Sequence, residues 1–320
     1  MLVDLIILNY KNYNDTIELL NSVFSGPRIS SISNIHIIDN DSKNESLAHI
    51  LESLPILASE KTNVSDVNLD SITEHKTHTY NIITYQAKKN LGYAGGNNFG
   101  LKGFLSGNSD LAIVCNNDVV FPVGQLEVFI DESIKAISEN ENVGLVGNVL
   151  YFYDHPELIQ ASGGKINKSL CRTRHLNVGM TSITDRVVPD YPIGALLLFS
   201  REVLQEVGLL SEEYFLYYEE LDYVNRMRNK SFTFEIMQSA KILHKEGASA
   251  GSNSRDYKSV SLISDYFMNV NKIRYSRRFN RKYLFLVTAV VIVNAFRRLF
   301  RGELKKCFNI MLFLFGKKVY

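Results

Sequence analysis

The sequence predicts an α/β fold: a mostly parallel central sheet flanked by helices. Three observations predict it. Over the first 150 residues, apolar runs of strand length alternate with amphipathic stretches at helical spacing. Asn, Asp and Gly bound those runs. Acids close two of them, where ligands of open parallel sheets bind.

"VDLIILNY" (Val3 to Tyr10) is the first strand and ends at Asn9. "NDTIELLNSVFS" follows as a helix, with Ile17, Leu20, Val23 and Phe24 on one face after an Asn14/Asp15 start signal. "NIHIIDNDS" is the second strand, closing on Asp39-Asn40-Asp41, and "ESLAHILESL" is the second helix. Residues 55–79 are polar and weakly periodic, which reads as a loop-like insertion. "YNIITYQ" resumes as a strand, "KKNLGYAGGNNFGLKGFLSG" is a Gly-rich turn entering a helix, and "LAIVC" is a strand delivering Asn116-Asn117-Asp118. "GQLEVFIDESIKAISEN" is a helix and "VGLVGNVLYF" a strand. Beyond residue 150 the pattern is mixed. "IGALLLFSREVLQEVG" reads as strand into helix, "EEYFLYYEELDYVNRMRNKS" as helical over its second half, and "FTFEIMQSAKILHKEG" as a strand pair ending at His244. The expected organisation is a 1–250 domain with halves 1–150 and 151–250, followed by a 251–320 helical tail.

Composition narrows the classes. The chain of 320 residues is 45% hydrophobic and 22% charged, which is globular. Its three cysteines (Cys115, Cys171, Cys307) are scattered, which implies a reducing compartment with no disulfide frame and no zinc site. "MLVDLIILNY" lacks the basic flank and cleavage site of a signal peptide. The net charge of +1 hides an asymmetry: residues 272–320 carry 13 Lys/Arg against one acid, Glu303, leaving a net −11 on residues 1–271. "YLFLVTAVVIVNAF" and "FNIMLFLF" lie among these cations, each shorter than a spanning helix. Two interfacial helices held to an anionic membrane are expected, with core helices as the alternative. Truncation after about residue 270 is then expected to release the chain from membranes. No nucleic-acid partner is expected.

The chemistry lies at strand ends. Asp39 and Asp41 can accept hydrogen bonds from a nucleobase or ribose, and Asp118 can hold a hard divalent cation that bridges to phosphates. One acid at a strand end is an ordinary turn residue, whereas acids at two strand ends with a Gly-rich turn between them point to a site. "NLGYAGGNNFG" has four glycines that let backbone approach a ligand, but not in a Walker or Rossmann spacing. In "YYEELDYVNRMR", helical spacing puts Glu219, Asp222 and Arg226 on one side and Glu220 elsewhere. A carboxylate beside another can act as a raised-pKa base; a solvated helix face is the simpler reading. His244, alone, is more often structural than a ligand.

Taken in order, "LIILNYKNYNDTIELLNSV", "IHIIDNDS", "KNLGYAGGNNFGLK", "VCNNDVVFP", "PIGALLLFSREVLQEVG", "EEYFLYYEELDYVNRMR" and "KILHKEGAS" resemble glycosyltransferase family 2, in its bacterial rhamnosyltransferase-like branch. The resemblance spans about residues 1–250. It implies a GT-A fold, a nucleotide-sugar donor and an inverting transfer dependent on Mg²⁺ or Mn²⁺. Donor contacts then fall on Asn9, Asp39, Asp41, Asn90, Gly92, Gly95, Gly96, Asn97, Asn117, Asp118 and Gly194. Asn90 to Asn97 resembles a loop closing over the nucleotide. Asp118 matches the last acid of a D-x-D-type metal motif, here Asn-Asn-Asp, and His244 a metal-binding His. Glu220 takes the place of the catalytic base, with Glu219 in reserve. The resemblance favours dTDP-rhamnose as donor, then UDP-hexoses or UDP-galactofuranose, and a lipid-linked cell-surface glycan as acceptor. The expected location is the cytoplasmic face of the plasma membrane, or the cytoplasm. A nucleotidyltransferase and a non-catalytic nucleotide-sugar-binding scaffold are the competing readings. "NYKNYND" has no glycine for the first of these.

Overall fold

The structure is a computed structural model that describes residues 1–183, 187–245, 260–317 and 319–320. Its centre is a parallel block formed by β5 (Asn81–Ala87), β2 (Ile32–Asp39), β1 (Val3–Asn9) and β6 (Leu111–Asn116), side by side in that order. Strands β1 and β6 are nearly continuous buried runs, as strands covered on both faces must be. The crossovers α1 (Tyr13–Phe24), α2 (Ser46–Glu52) and α3 (Gly92–Ser106) return the chain between them. The sheet continues past β6 with β12 (Leu196–Ser200), antiparallel to it. Next come β8 (Val143–Phe152), β13 (Thr233–His244) and the two-residue β7 (Val119–Val120). All the strands of the parallel block therefore end on one edge, where Asn9, Asp39 and Asn116 stand.

Two expectations need correction here. Residues 55–79 are not a loop: β3 (Ile56–Thr62) and β4 (Leu69–Thr77) form an antiparallel hairpin that adds to β5. β3 is an outer strand exposed along nearly its whole length, and β4 buries only Leu69 and His75, so no apolar alternation announces them. Backbone pairing carries this hairpin. "FTFEIMQSAKILH" is likewise one strand, β13, with an irregularity between Met237 and Ile242 rather than a turn.

α4 (Gln125–Glu139), β9 (Ile159–Ala161), α5 (Arg201–Val207), α6 (Glu219–Arg228) and the β10 (Gly164–Asn167)–β11 (Arg172–His175) hairpin complete the body. The tail is helical: α7 (Leu262–Phe279), a 3₁₀ turn (Arg281–Tyr283), α8 (Leu284–Phe300) and α9 (Leu304–Leu314). α7 belongs to the body, since Val270, Ile273 and Tyr275 are buried and the Asn271 amide donates to the carbonyls of Leu216 and Tyr217 at 2.8 and 3.0 Å. Truncation after residue 270 would therefore cut through core. α8 buries Val287, Val291 and Ala295 in the same core and leaves Phe285, Val293, Phe296 and Phe300 exposed. With the 3₁₀ turn, residues Arg281–Phe300 form a 20-residue helical run containing an 18-residue stretch of mean hydropathy 1.7, long and apolar enough to cross a membrane by length and composition alone. Its length exceeds the sequence expectation because the turn extends the helix. The proposed boundary at residue 250 lies outside the described residues.

Candidate active site

The ends of β1, β2 and β6 are tied together by a buried polar network. The Asn9 amide donates to Asp39 Oδ1 at 3.1 Å and to Ser42 Oγ at 3.2 Å. Its carbonyl oxygen accepts from the Thr16 hydroxyl at 2.8 Å. The Asn117 amide donates to Thr16 Oγ1 at 3.1 Å and to the Asn12 carbonyl at 3.0 Å. On Asp39, Oδ1 receives Asn9 and Ser42 while Oδ2 receives Gln86 at 3.0 Å. One lone pair on Oδ2 is left for a ligand. Asp41, in a left-handed conformation (φ 64°), forms an ion pair with exposed Lys43 at 2.5 Å on the rim.

The glycine motif is helix rather than loop: α3 starts at Gly92. A Cβ on Gly92 would stand 2.0 Å from the Phe215 carbonyl oxygen, and one on Gly96 would stand 2.4 Å from Leu8 Cδ1. On Gly95 it would meet Leu91 Cβ at 2.6 Å. These glycines bring α3 against the sheet and against residue 215. Asn90 caps the approach, its Oδ1 accepting from Gly92 N at 2.8 Å and from Asn40 at 3.0 Å. Asn97 is buried and donates to the Tyr93 carbonyl at 3.0 Å, while its own carbonyl oxygen has no partner among the described residues.

Two pairs of chemically active groups stand near these strand ends. In the first, β7 and the end of β13 pair in antiparallel register, Val119 against His244, which brings Asp118 beside the ring. His244 Nε2 lies 3.2 Å from Asp118 Oδ1 and, though buried, makes no hydrogen bond among the described residues. Burial pushes the Asp118 carboxyl up, but the His244 ring beside it outweighs this and holds it below the ordinary range. A buried nitrogen facing a carboxylate oxygen fits a hard or borderline divalent cation, which takes two protein ligands and fills its shell with water and phosphate. No group of three or more His, Cys, Asp or Glu is available to hold a metal among the described residues, so water or the oxygens of a ligand would have to complete the shell. Lys245, next along the chain, donates its backbone N–H to the Asp118 carbonyl at 3.0 Å. Its ammonium pairs with Asp15 and Glu18, each at 2.6 Å, which pins β13 to α1.

The second pair is Glu219 and Glu220, the first residues of α6, reached through Tyr217 and Tyr218, both in the left-handed region (φ 70° and 78°). That strained lead-in turns the acids inward rather than to solvent. Burial, then the neighbouring Glu220 charge, holds Glu219 well above the ordinary range, and burial pushes Glu220 up to about 7. The simpler solvated-face reading is thus overturned, although Asp222 does pair with Arg226 at 2.6 Å as spacing suggests. Tyr93 stands beside the second pair, and its hydroxyl donates to the Gly194 carbonyl at 2.5 Å. A Cβ on Gly194 would lie 4.0 Å from Glu220 Cδ, and Ala195 accepts from Asn116 N at 2.9 Å. Burial, then Glu219 and Glu220, keeps the Tyr93 hydroxyl protonated.

Sequence reasoning missed Tyr93, Gln86 and Gln160. Gln160 sits on β9 and holds the His244 ring through Nδ1 at 2.6 Å. Tyr93 lies inside the glycine motif but is neither one of its glycines nor one of its asparagines, and Gln86 and Gln160 are single polar residues that no local pattern marks. The "EGAS" half of the His244 motif lies outside the described residues.

No family model matches the chain. It is 23% identical over 252 residues to the low-salt glycan biosynthesis hexosyltransferase Agl10 of Haloferax volcanii, covering 76% of this chain and 67% of that protein. The fold resembles that of the mannosyltransferase PcManGT from Pyrobaculum calidifontis, solved with GDP-Man and Mn²⁺ (TM-score 0.53, 12% identity, 99% of this chain and 76% of that one). It also resembles S. aureus TarS 1–349 (TM-score 0.51, 12% identity, 100% of this chain and 93% of that one). With the sequence likeness to a hexosyltransferase and a fold shared with a mannosyltransferase, the chain is a glycosyltransferase enzyme.

Proposed function

We propose that this GT-A-type enzyme carries out an inverting transfer from a nucleoside-diphosphate sugar to a hydroxyl of a lipid-linked glycan. The observation that carries the proposal is that one segment, Gly194–Ala195, borders both pairs: Gly194 lies beside the half-buried Glu220 next to buried Glu219, and Ala195 accepts from Asn116 N, two residues before the Asp118 that faces His244. An acceptor hydroxyl is a poor nucleophile, so a base must take its proton as it attacks the anomeric carbon. Glu220 has the raised carboxyl for this, and Glu219 beside it keeps a proton and so leaves the negative charge on Glu220. The departing nucleoside diphosphate gains charge. A Mg²⁺ or Mn²⁺ held by Asp118 and His244 would neutralise it. Asp39, with Gln86 behind it, would take the nucleobase, and Asp41 on the rim the ribose. A single displacement inverts the sugar.

The first donor to test is dTDP-rhamnose, which the sequence resemblance favours. UDP-hexoses and UDP-galactofuranose follow, with GDP-mannose added because the mannosyltransferase of like fold was solved with it. The basic, apolar tail suits the cytoplasmic face of the plasma membrane, where a lipid-linked acceptor would be presented. The test is sugar transfer from this donor panel to membrane extracts. Wild type should transfer from one donor, and Glu220→Gln should be slower by about 10²–10⁴-fold while binding the nucleotide within about twofold. A Glu220→Gln variant with full activity would remove Glu220 as the base. A folded wild type that binds a donor nucleotide but transfers none of these sugars would favour the scaffold reading.

A further inference from the structure

Gln160 is 4% exposed and stands between the buried Ile159 and Ala161 on β9, which is paired to β8. Its amide touches one residue twice. Nε2 donates to the His244 backbone carbonyl at 3.2 Å, and Oε1 lies 2.6 Å from His244 Nδ1. A carbonyl oxygen only accepts, so the NH₂ end of the amide has to face it. Oε1 then faces Nδ1, and Nδ1 has to carry the hydrogen. In the opposite orientation two oxygens would meet at 3.2 Å and the NH₂ group would face Nδ1. The backbone carbonyl of His244 thus dictates the tautomer of its own ring, through Gln160.

Asp118 pulls the other way. Its Oδ1, 3.2 Å from Nε2, would be best served by an N–H on that nitrogen. The two neighbours of the neutral ring compete for its single hydrogen. We propose that Gln160 is a positioning residue that locks His244 in the Nδ1–H tautomer, so that a bare Nε2 and the Asp118 carboxylate face each other as a nitrogen–oxygen pair for a divalent cation. The proposal rests on the reading of Asp118 and His244 as the metal-holding pair. Without Gln160 the hydrogen moves to Nε2 and donates to Asp118, occupying the space between the two ligands. An outer partner of this kind is worth about 10–100-fold in metal affinity.

The test uses full-length protein, ¹⁵N-labelled at histidine, at about pH 8, where an ordinary imidazole is neutral. Two-bond ¹H–¹⁵N spectra without metal should show His244 protonated on Nδ1 in wild type. In Gln160→Leu the proton should move to Nε2. Mn²⁺ titrations followed by electron paramagnetic resonance, with nucleotide present, should show about 10–100-fold weaker binding for Gln160→Leu. Thermal melts confirm that the variant is folded. Nε2–H in wild type, or Gln160→Leu with unchanged tautomer and unchanged Mn²⁺ affinity, overturns the proposal. A wild type that binds no Mn²⁺ overturns the functional reading beneath it instead, and the spectra still decide the tautomer.

Discussion

Glu220 combines two opposed requirements in one side chain. As a base it must be ionised, yet burial lifts its carboxyl from the ordinary 4.5 to about 7. Transfer should therefore rise with pH through about 7 and level off above it, and a pH–rate profile of kcat checks this. Stability has the opposite sign. A carboxyl raised in the folded state binds protons that the unfolded chain has released, so its contribution is present below about 4.5 and is lost as pH rises to about 7. Glu220→Gln should therefore unfold at a higher temperature than wild type at pH 8, by a stabilisation on the order of 2 kcal/mol after allowing for residual solvent access. A variant that is both inactive and more stable is the signature of a functional charge held at a cost. Local pattern could place Glu220 off the Asp222–Arg226 side of its helix. It could not reveal burial, which comes from Tyr93, Gly194 and the left-handed Tyr217–Tyr218 lead-in, residues far apart in sequence or conformationally exceptional.

At the scale of elements, α3 explains how the two halves of the site share one edge. Its first residue, Gly92, has φ +72° and packs against the Phe215 carbonyl, which also accepts from Tyr93 N at 2.8 Å. Alanine there meets both left-handed strain and a backbone clash, which together cost about 2–5 kcal/mol. Gly92→Ala should lower the melting temperature by about 5 °C or more. It should also weaken catalysis, because residue 215 leads into the helix that carries Glu219 and Glu220. An unchanged melting curve would mean that the contact is dispensable. The parallel block was legible because β1 and β6 are nearly continuous apolar runs and Asn or Asp closes β1, β2 and β6. The β3–β4 hairpin was not, because strands exposed on most sides carry ordinary loop composition, and pairing to β5 is a non-local property. The glycines of α3 were legible as close-approach positions. What approaches them, as far as the structure goes, is the protein's own sheet and Phe215.

The whole molecule divides its charge, acidic body against basic tail, and the tail divides its faces. Val287, Val291, Ala295 and Ile310 are sealed in the core, whereas Phe285 is 88% exposed, Phe300 86% and Phe308 62%. Arg297, Arg301 and Lys305, all exposed, lie between Phe285 and Phe308 in the sequence. The sequence could show apolar residues flanked by cations but not which of them face outward, since that depends on how α8 meets α7 and the body. Because truncation would cut into core, point changes are the right probe. A Phe285→Ser/Phe300→Ser/Phe308→Ser variant should keep its melting temperature and lose most sedimentation with phosphatidylglycerol vesicles. Added salt should weaken wild-type binding as well. Undiminished binding of the variant would remove this face as the membrane contact. The central claim, that a sugar donor's phosphates meet the Asp118–His244 pair, is tested most directly by calorimetric titration of dTDP, UDP and GDP. Each is run with and without Mn²⁺, on wild type and on Asp118→Ala. One nucleotide should bind wild type only with metal present, and that binding should fall by at least about 10²-fold in Asp118→Ala. Metal-independent binding unchanged by Asp118→Ala, or no binding by a folded wild type, would contradict the account.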